Sequence, residues 1–127
     1  MINGIRINKA EGNRESDGET SGLKIDIKLD KVEVKGQEIT MDFSYTANYL
    51  EKVGTLKMEG TISAVEDAKL AKEVEERWKK EKRLPDKFAE LILNTINYAC
   101  STNGVLVARV VGLSPPIVPP KIAVGTT

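Results

Sequence analysis

The sequence predicts an α+β subunit: a four-stranded antiparallel sheet, made of a meander plus an N-terminal strand, with two helices packed on one face. Three observations predict it. Segments between residues 23 and 62 alternate apolar and polar side chains with a period of two, the pattern of strands with one covered and one wet face. The turns between them are short, which makes consecutive strands antiparallel neighbours. At residue 63 the period changes to that of a helix and persists, with one proline break, to residue 102.

Each element follows in chain order. Residues 2–7 form a short strand in which Ile5 and Ile7 alternate with polar neighbours. Residues 8–22 are polar or small apart from Ala10 and are expected to be a mobile connecting loop, having nothing to bury. Leu23, Ile25, Ile27 and Leu29 then share a face, opposite Lys24, Asp26, Lys28 and Asp30, and the apolar phase shifts to Val32 and Val34. Such a shift requires one extra residue, so a bulge is expected near Asp30 and Lys31. A tight turn at residues 35–37 leads into the row Ile39, Met41, Phe43, Tyr45, Ala47 and Tyr49. Residues 51–54 turn the chain into the fourth row, Leu56, Met58, Gly60 and Ile62.

Ser63 and Glu66 have the spacing of a capping box, which predicts a helix over 65–82 with the stripe Leu70, Ala71, Val74 and Trp78. Pro85 suits a first helical turn, and a second helix is expected over 85–102. Phe88, Leu91, Ile92, Ile96 and Ala99 form its main stripe, while Leu93, Tyr98 and Cys100 add apolar groups elsewhere. A helix apolar on several sides is normally covered on several sides, and a partner subunit is the natural cover. Asn103 and Gly104 tolerate left-handed geometry, so the helix is expected to end there, with 105–111 extended. Residues 112–127 hold four prolines within 115–120. They are expected to form an extended apolar tail against the body, with Leu113, Ile117 and Ile122 inward. The 127 residues suit one domain, 1–127.

Composition narrows the chemistry. There are 19 basic and 19 acidic residues, no histidine and one cysteine. These counts argue against a strongly basic nucleic-acid binder, a disulfide within the chain, a Cys/His zinc site and a histidine-based triad. There is no phosphate loop. No catalytic residue, metal ligand or cofactor is assigned. The acid pairs Asp26 with Asp30 and Asp42 with Glu59 are read as cross-strand ion pairing with interleaved lysines rather than a magnesium site. The cations around Trp78 are read as a solvated helix face rather than a phosphate contact, and Cys100 as a buried small hydrophobe. With no signal-like start and no membrane-length apolar run, the expected setting is cytoplasmic, without membrane insertion. Lys and Glu enrichment with one glutamine is a thermophile signature.

The order strand, loop, meander, helix, proline turn, apolar helix, Pro-rich tail resembles the SecB protein-export chaperone family, and small archaeal homologues fit the composition. The similarity lies in the alternating run 25–30, the strand-to-helix passage at 60–64, the Tyr98-Ala99-Cys100 helix and the segment 112–117. The resemblance implies an ATP-independent holdase assembled as dimers or tetramers, with apolar grooves for unfolded or nascent polypeptides. It also implies docking of the ATPase SecA on an acidic sheet face. Here Lys24, Lys28 and Lys57 dilute that face, so the SecA partnership is not carried over.

The candidate client-binding residues are Met41, Tyr45, Tyr49, Leu56, Met58 and Trp78, each of which is alternatively simple core. The candidate subunit-interface residues are Leu93, Ile96, Tyr98 and Cys100. The alternative function is a non-enzymatic adaptor or scaffold that binds one folded protein.

Overall fold

The computed structural model describes residues 1–116. The strands are β1 (Ile2–Arg14), β2 (Leu23–Lys35), β3 (Glu38–Tyr49) and β4 (Gly54–Val65); the helices are α1 (Ala68–Glu81) and α2 (Asp86–Val110). All strand pairs are antiparallel and the sheet order is β1-β4-β3-β2. The meander is therefore closed at one side by the first strand, a Greek-key arrangement, and β1 and β2 are the two edges.

The alternation of β3 sets the two faces. Ile39, Met41, Phe43, Tyr45, Ala47 and Tyr49 are buried, and Thr40, Asp42, Ser44 and Thr46 are half-buried on the reverse. The expected phase shift in β2 is present: Leu29 pairs with Phe43 and Lys31 with Asp42, leaving Asp30 as the extra residue. The turn at residues 36–37 and the turn after Tyr49 also lie where expected. Both helices land on the face of Ile39 and Tyr45, with α1 over β2 and α2 chiefly over β1 and β4.

Three expectations are corrected. Residues 8–14 are not loop: they continue β1, pairing from Lys9–Glu59 to Arg14–Gly54, after a bulge at Asn8. Only 15–22 connects β1 to β2. The inward positions of this half-strand are Ala10 and Gly12, too small to signal a core row. Second, β4 runs through Ser63 to Val65, and the N-cap of α1 is Asp67, whose carboxylate accepts the Leu70 N–H at 2.8 Å. Asp at this position satisfies one of the helix's free donors. Third, α2 does not stop at Gly104 and residues 105–110 are helical, not extended.

Gly104 is buried in α2, where a Cβ would stand 2.7 Å from Pro116 Cγ and 3.0 Å from Met58 Cε. The glycine serves close approach to the sheet and the chain beyond the helix. The left-handed residue that ends the path is Gly112, at φ 70°.

Leu113 is buried as expected, and Pro116 packs on Gly104. Ile117, Ile122 and the rest of the tail lie outside the described residues. Arg14 joins the end of β1 to the end of α2. Its Nε donates to the Val111 carbonyl at 2.9 Å, Nη1 to the Ser16 carbonyl at 2.8 Å, and Nη2 to the Gly112 carbonyl. A cation at a helix C-terminus also meets the favourable end of the helix dipole.

Candidate functional site

The apolar row of β3 and β4 does not form an accessible surface. Met41, Tyr45 and Leu56 have no exposure, Met58 has 1% and Tyr49 3%. These five candidate client-binding residues are core, because both helices cover the face they share. The tyrosines anchor neighbouring segments. Tyr45 Oη lies 3.4 Å from Ser101 Oγ, which also reaches Asn97 Oδ1 at 3.3 Å, so the polar groups on the inner face of α2 find partners. Tyr49 Oη donates to the Ser114 carbonyl and pins the start of the tail. Burial pushes the Tyr49 phenol up to about 12, with Tyr45 adding to the shift.

The four candidate interface residues also separate. Ile96 and Cys100 face this chain's own sheet with no exposure, and burial pushes the Cys100 thiol up to about 12. They are internal, since the helix face carrying them is the one that docks. Leu93 is half-buried beside β2, and Tyr98 is 73% exposed. Leu91, Leu106 and Val110 are exposed on the same helix.

Trp78 is the one client-binding candidate at the surface. It is half-buried on α1 and stands between two clefts. The smaller, about 210 Å³, is walled by Ile27, Leu29, Leu84, Ala89 and Leu93, with Lys82 and Arg83 at its rim. The larger, about 370 Å³, is bounded by Val32, Val34 and the charged residues Glu33, Lys35, Glu75 and Lys79. Lys82 Nζ sits 5.6 Å from the Trp78 ring centroid, within cation–π range.

Together the clefts follow β2 from Ile27 to Val34. That strand is an edge, so one row of its backbone N–H and C=O groups has no strand partner. An edge with adjacent side-chain pockets suits an extended peptide, which adds as a strand and fills the pockets with alternate side chains. The sequence presents the inward residues of β2 as a core row, and Lys82 and Arg83 as part of a solvated helix face, neither as a binding site. The relevant signal was the half-burial that follows from an edge position, and strand order supplies that.

The reverse face of the sheet carries ion pairs along single strands: Lys9–Glu11 at 3.2 Å, Lys31–Glu33 at 2.8 Å and Lys57–Glu59 at 3.5 Å. They run along strands rather than across them as expected. Asp42 accepts the Thr61 hydroxyl at 3.1 Å. Among the described residues no three acids or thiols gather where a metal could sit. No helix among them is long and apolar enough to cross a membrane.

A four-stranded antiparallel sheet with two helices on one face is also the fold of a SecB-like chaperone. The chain superposes on the SecB-like chaperone of Mycobacterium tuberculosis, solved in complex with a ChAD peptide from the HigA1 antitoxin. The TM-score is 0.58 over 93% of this chain and 87% of that one, at 13% sequence identity. At this identity the likeness is one of fold, and the expected α+β architecture is borne out. No family model matches the sequence, and no curated protein matches it.

Proposed function

We propose that the protein is a cytoplasmic, ATP-independent polypeptide-binding chaperone that holds extended segments of unfolded clients along β2. The observation supporting this most directly is the pair of clefts about Trp78 beside an open sheet edge. Main-chain bonds to an edge do not depend on sequence, and shallow apolar clefts accept many side chains; both suit a binder of diverse clients. The test is suppression of aggregation of several unrelated unfolded proteins without nucleotide. Trp78→Ser should weaken protection of all of them while the protein remains folded. Protection by wild type and variant alike would remove the groove from the mechanism.

An adaptor reading is favoured by one observation: the M. tuberculosis chaperone was solved with a peptide from one particular antitoxin. On that reading the groove serves a single partner, and the aggregation assay shows no general protection.

The assembly completes the proposal. From residue 91 to residue 108, α2 contains no charged side chain, yet Leu91, Tyr98 and Leu106 are exposed by 44%, 73% and 66%. A second copy packed antiparallel across this face brings the Leu91 end of one helix to the Val110 end of the other, with Tyr98 and Thr102 near the middle. It opposes no like charges along the stripe and aligns the helix dipoles head to tail. Solution mass tests it: wild type should be an oligomer, dissociated by Tyr98→Glu. A monomeric wild type would overturn the proposal.

A further inference from the structure

The two clefts differ in charge. In the smaller one the charged wall residues are Lys82 and Arg83, with no acid between them. They belong to a wider cluster: from residue 79 to residue 87 the chain carries five cations and two acids. One of the acids, Glu81, already accepts from Arg77 Nε at 3.1 Å. The other, Asp86, stands in the first turn of α2, where a helix favours negative charge. The larger cleft is balanced, Glu33 and Glu75 against Lys35 and Lys79, and Glu33 is further held by Lys31. Since the chain as a whole is neutral, the positive surplus is local to one end of the groove.

Resting on the reading of this groove as a polypeptide site, we infer that it selects segments in which a bulky apolar residue lies beside acidic ones. The apolar side chain enters the smaller cleft against Trp78 and Leu93, and the carboxylates meet Lys82 and Arg83. Geometry supports the pairing. Lys82 takes a left-handed backbone conformation at the end of α1, and its N–H bonds the Trp78 carbonyl at 3.0 Å. Its ammonium is thereby held over the ring that the apolar group would touch. The partial negative charge of the α1 C-terminus opposes an anion there, but two full cations outweigh it. A segment with basic flanks meets repulsion at the same place.

Trp78 is the only tryptophan, so its fluorescence reports binding directly. The probes are tryptophan-free peptides sharing one Leu-Phe-Leu core and carrying glutamate, glutamine or lysine flanks. The acidic peptide should bind about three- to tenfold tighter than the neutral one, as expected for a few exposed ion pairs. The basic peptide should bind more weakly than the neutral one. The spread should collapse at about 1 M salt, where charges are screened over roughly 3 Å. Combining Lys82→Glu with Arg83→Glu should invert the order. Should that pair of changes prevent folding, Lys82→Gln and Arg83→Gln should each narrow the acidic preference.

Equal binding of all three peptides would overturn the selectivity and leave the polypeptide site intact. No fluorescence change with any peptide, alongside retained aggregation suppression, would overturn the groove as the selective element while leaving the holdase reading. Loss of both would remove both readings. Tighter binding of an oligothymidylate than of the acidic peptide would reassign the cations to nucleic acid and overturn the inference.

Discussion

The two helices lie on the same sheet face and solve different problems. Nine of the 14 residues of α1 are charged, its fully covered side chains are Ala71 and Val74, and Asp67 caps its start. It is an amphipathic helix whose single stripe needs only the sheet. α2 is 25 residues long, roughly 37 Å. It buries nine residues and still exposes large apolar side chains on the opposite side. The inner face of α2 completes the core, and the outer face leaves apolar area for which the described residues provide no cover. Burial within a chain and demand for a partner can thus occupy two sides of one element, and apolarity alone does not separate them.

The sharpest way to break this contrast is to cut into the inner face of α2. Ile96→Ala should destabilise the subunit by about 2–5 kcal/mol in urea unfolding, the range for a large buried aliphatic truncated to Ala. Val74→Ala on α1 should cost less, about 1.5–3 kcal/mol at most. Equal losses would mean that the two helices share the core evenly.

Alkali should weaken the seam between α2 and the sheet. Cys100 lies on α2, Tyr45 meets Ser101 there, and burial raises the pKa of both groups above their ordinary values of 9.0 and 10.0. Each is kept neutral in the folded protein, so its contribution is complete below the unfolded pKa. It is lost as pH rises through the folded value, which for Cys100 is about 12. Stability should therefore fall between about pH 9 and 12, read by denaturant midpoints. The native thiol should not react with a disulfide reagent at pH 8 until the chain unfolds.

Gly104→Ala comes next. Helix propensity favours the change by up to about 1 kcal/mol, but the new methyl collides with Pro116 and Met58, and overpacking costs about 1–3 kcal/mol. A net loss of about 1–2 kcal/mol is expected by calorimetry. A gain would show that α2 and Pro116 are not in contact. Asp67→Ala should cost about 1 kcal/mol through the lost cap of α1, seen as a lower melting temperature. The smallest effect on the fold should come from Tyr98→Ser, within about 0.5 kcal/mol for an isolated subunit. Its weight falls on solution mass, since Tyr98 reaches outward.

Much of the fold was legible because period-two alternation is a property of covered strands. β2 with its bulge at Asp30, β3 and β4 all carry it. The second half of β1 does not, because its inward residues are Ala10 and Gly12, and Val107 of α2 closes over Gly12 instead. The end of α2 was misplaced because Asn103 and Gly104 signal a stop in local terms, while Gly104 is there for close packing. For the site, the alternating row identified which residues share a face. It did not tell whether that face is open, since this depends on where two helices come to rest. The clefts beside Trp78 draw on β2, α1, the turn before α2 and the first turns of α2, and no sequence window joins them.

The polar character of β1 has a consequence for the order in which the protein is made. Ile5 pairs with Ile62, and Arg14 finds its acceptors at Val111 and Gly112. At about 5–20 residues per second, a ribosome takes roughly 3–10 s to reach the partner strand. For that interval β1 is an unpaired strand, the state most prone to joining other chains. Asn8, Lys9, Glu11, Asn13 and Arg14 interrupt any apolar run in its second half and discourage such encounters. The same side chains that hide this strand from a search for periodicity protect the nascent chain while it waits.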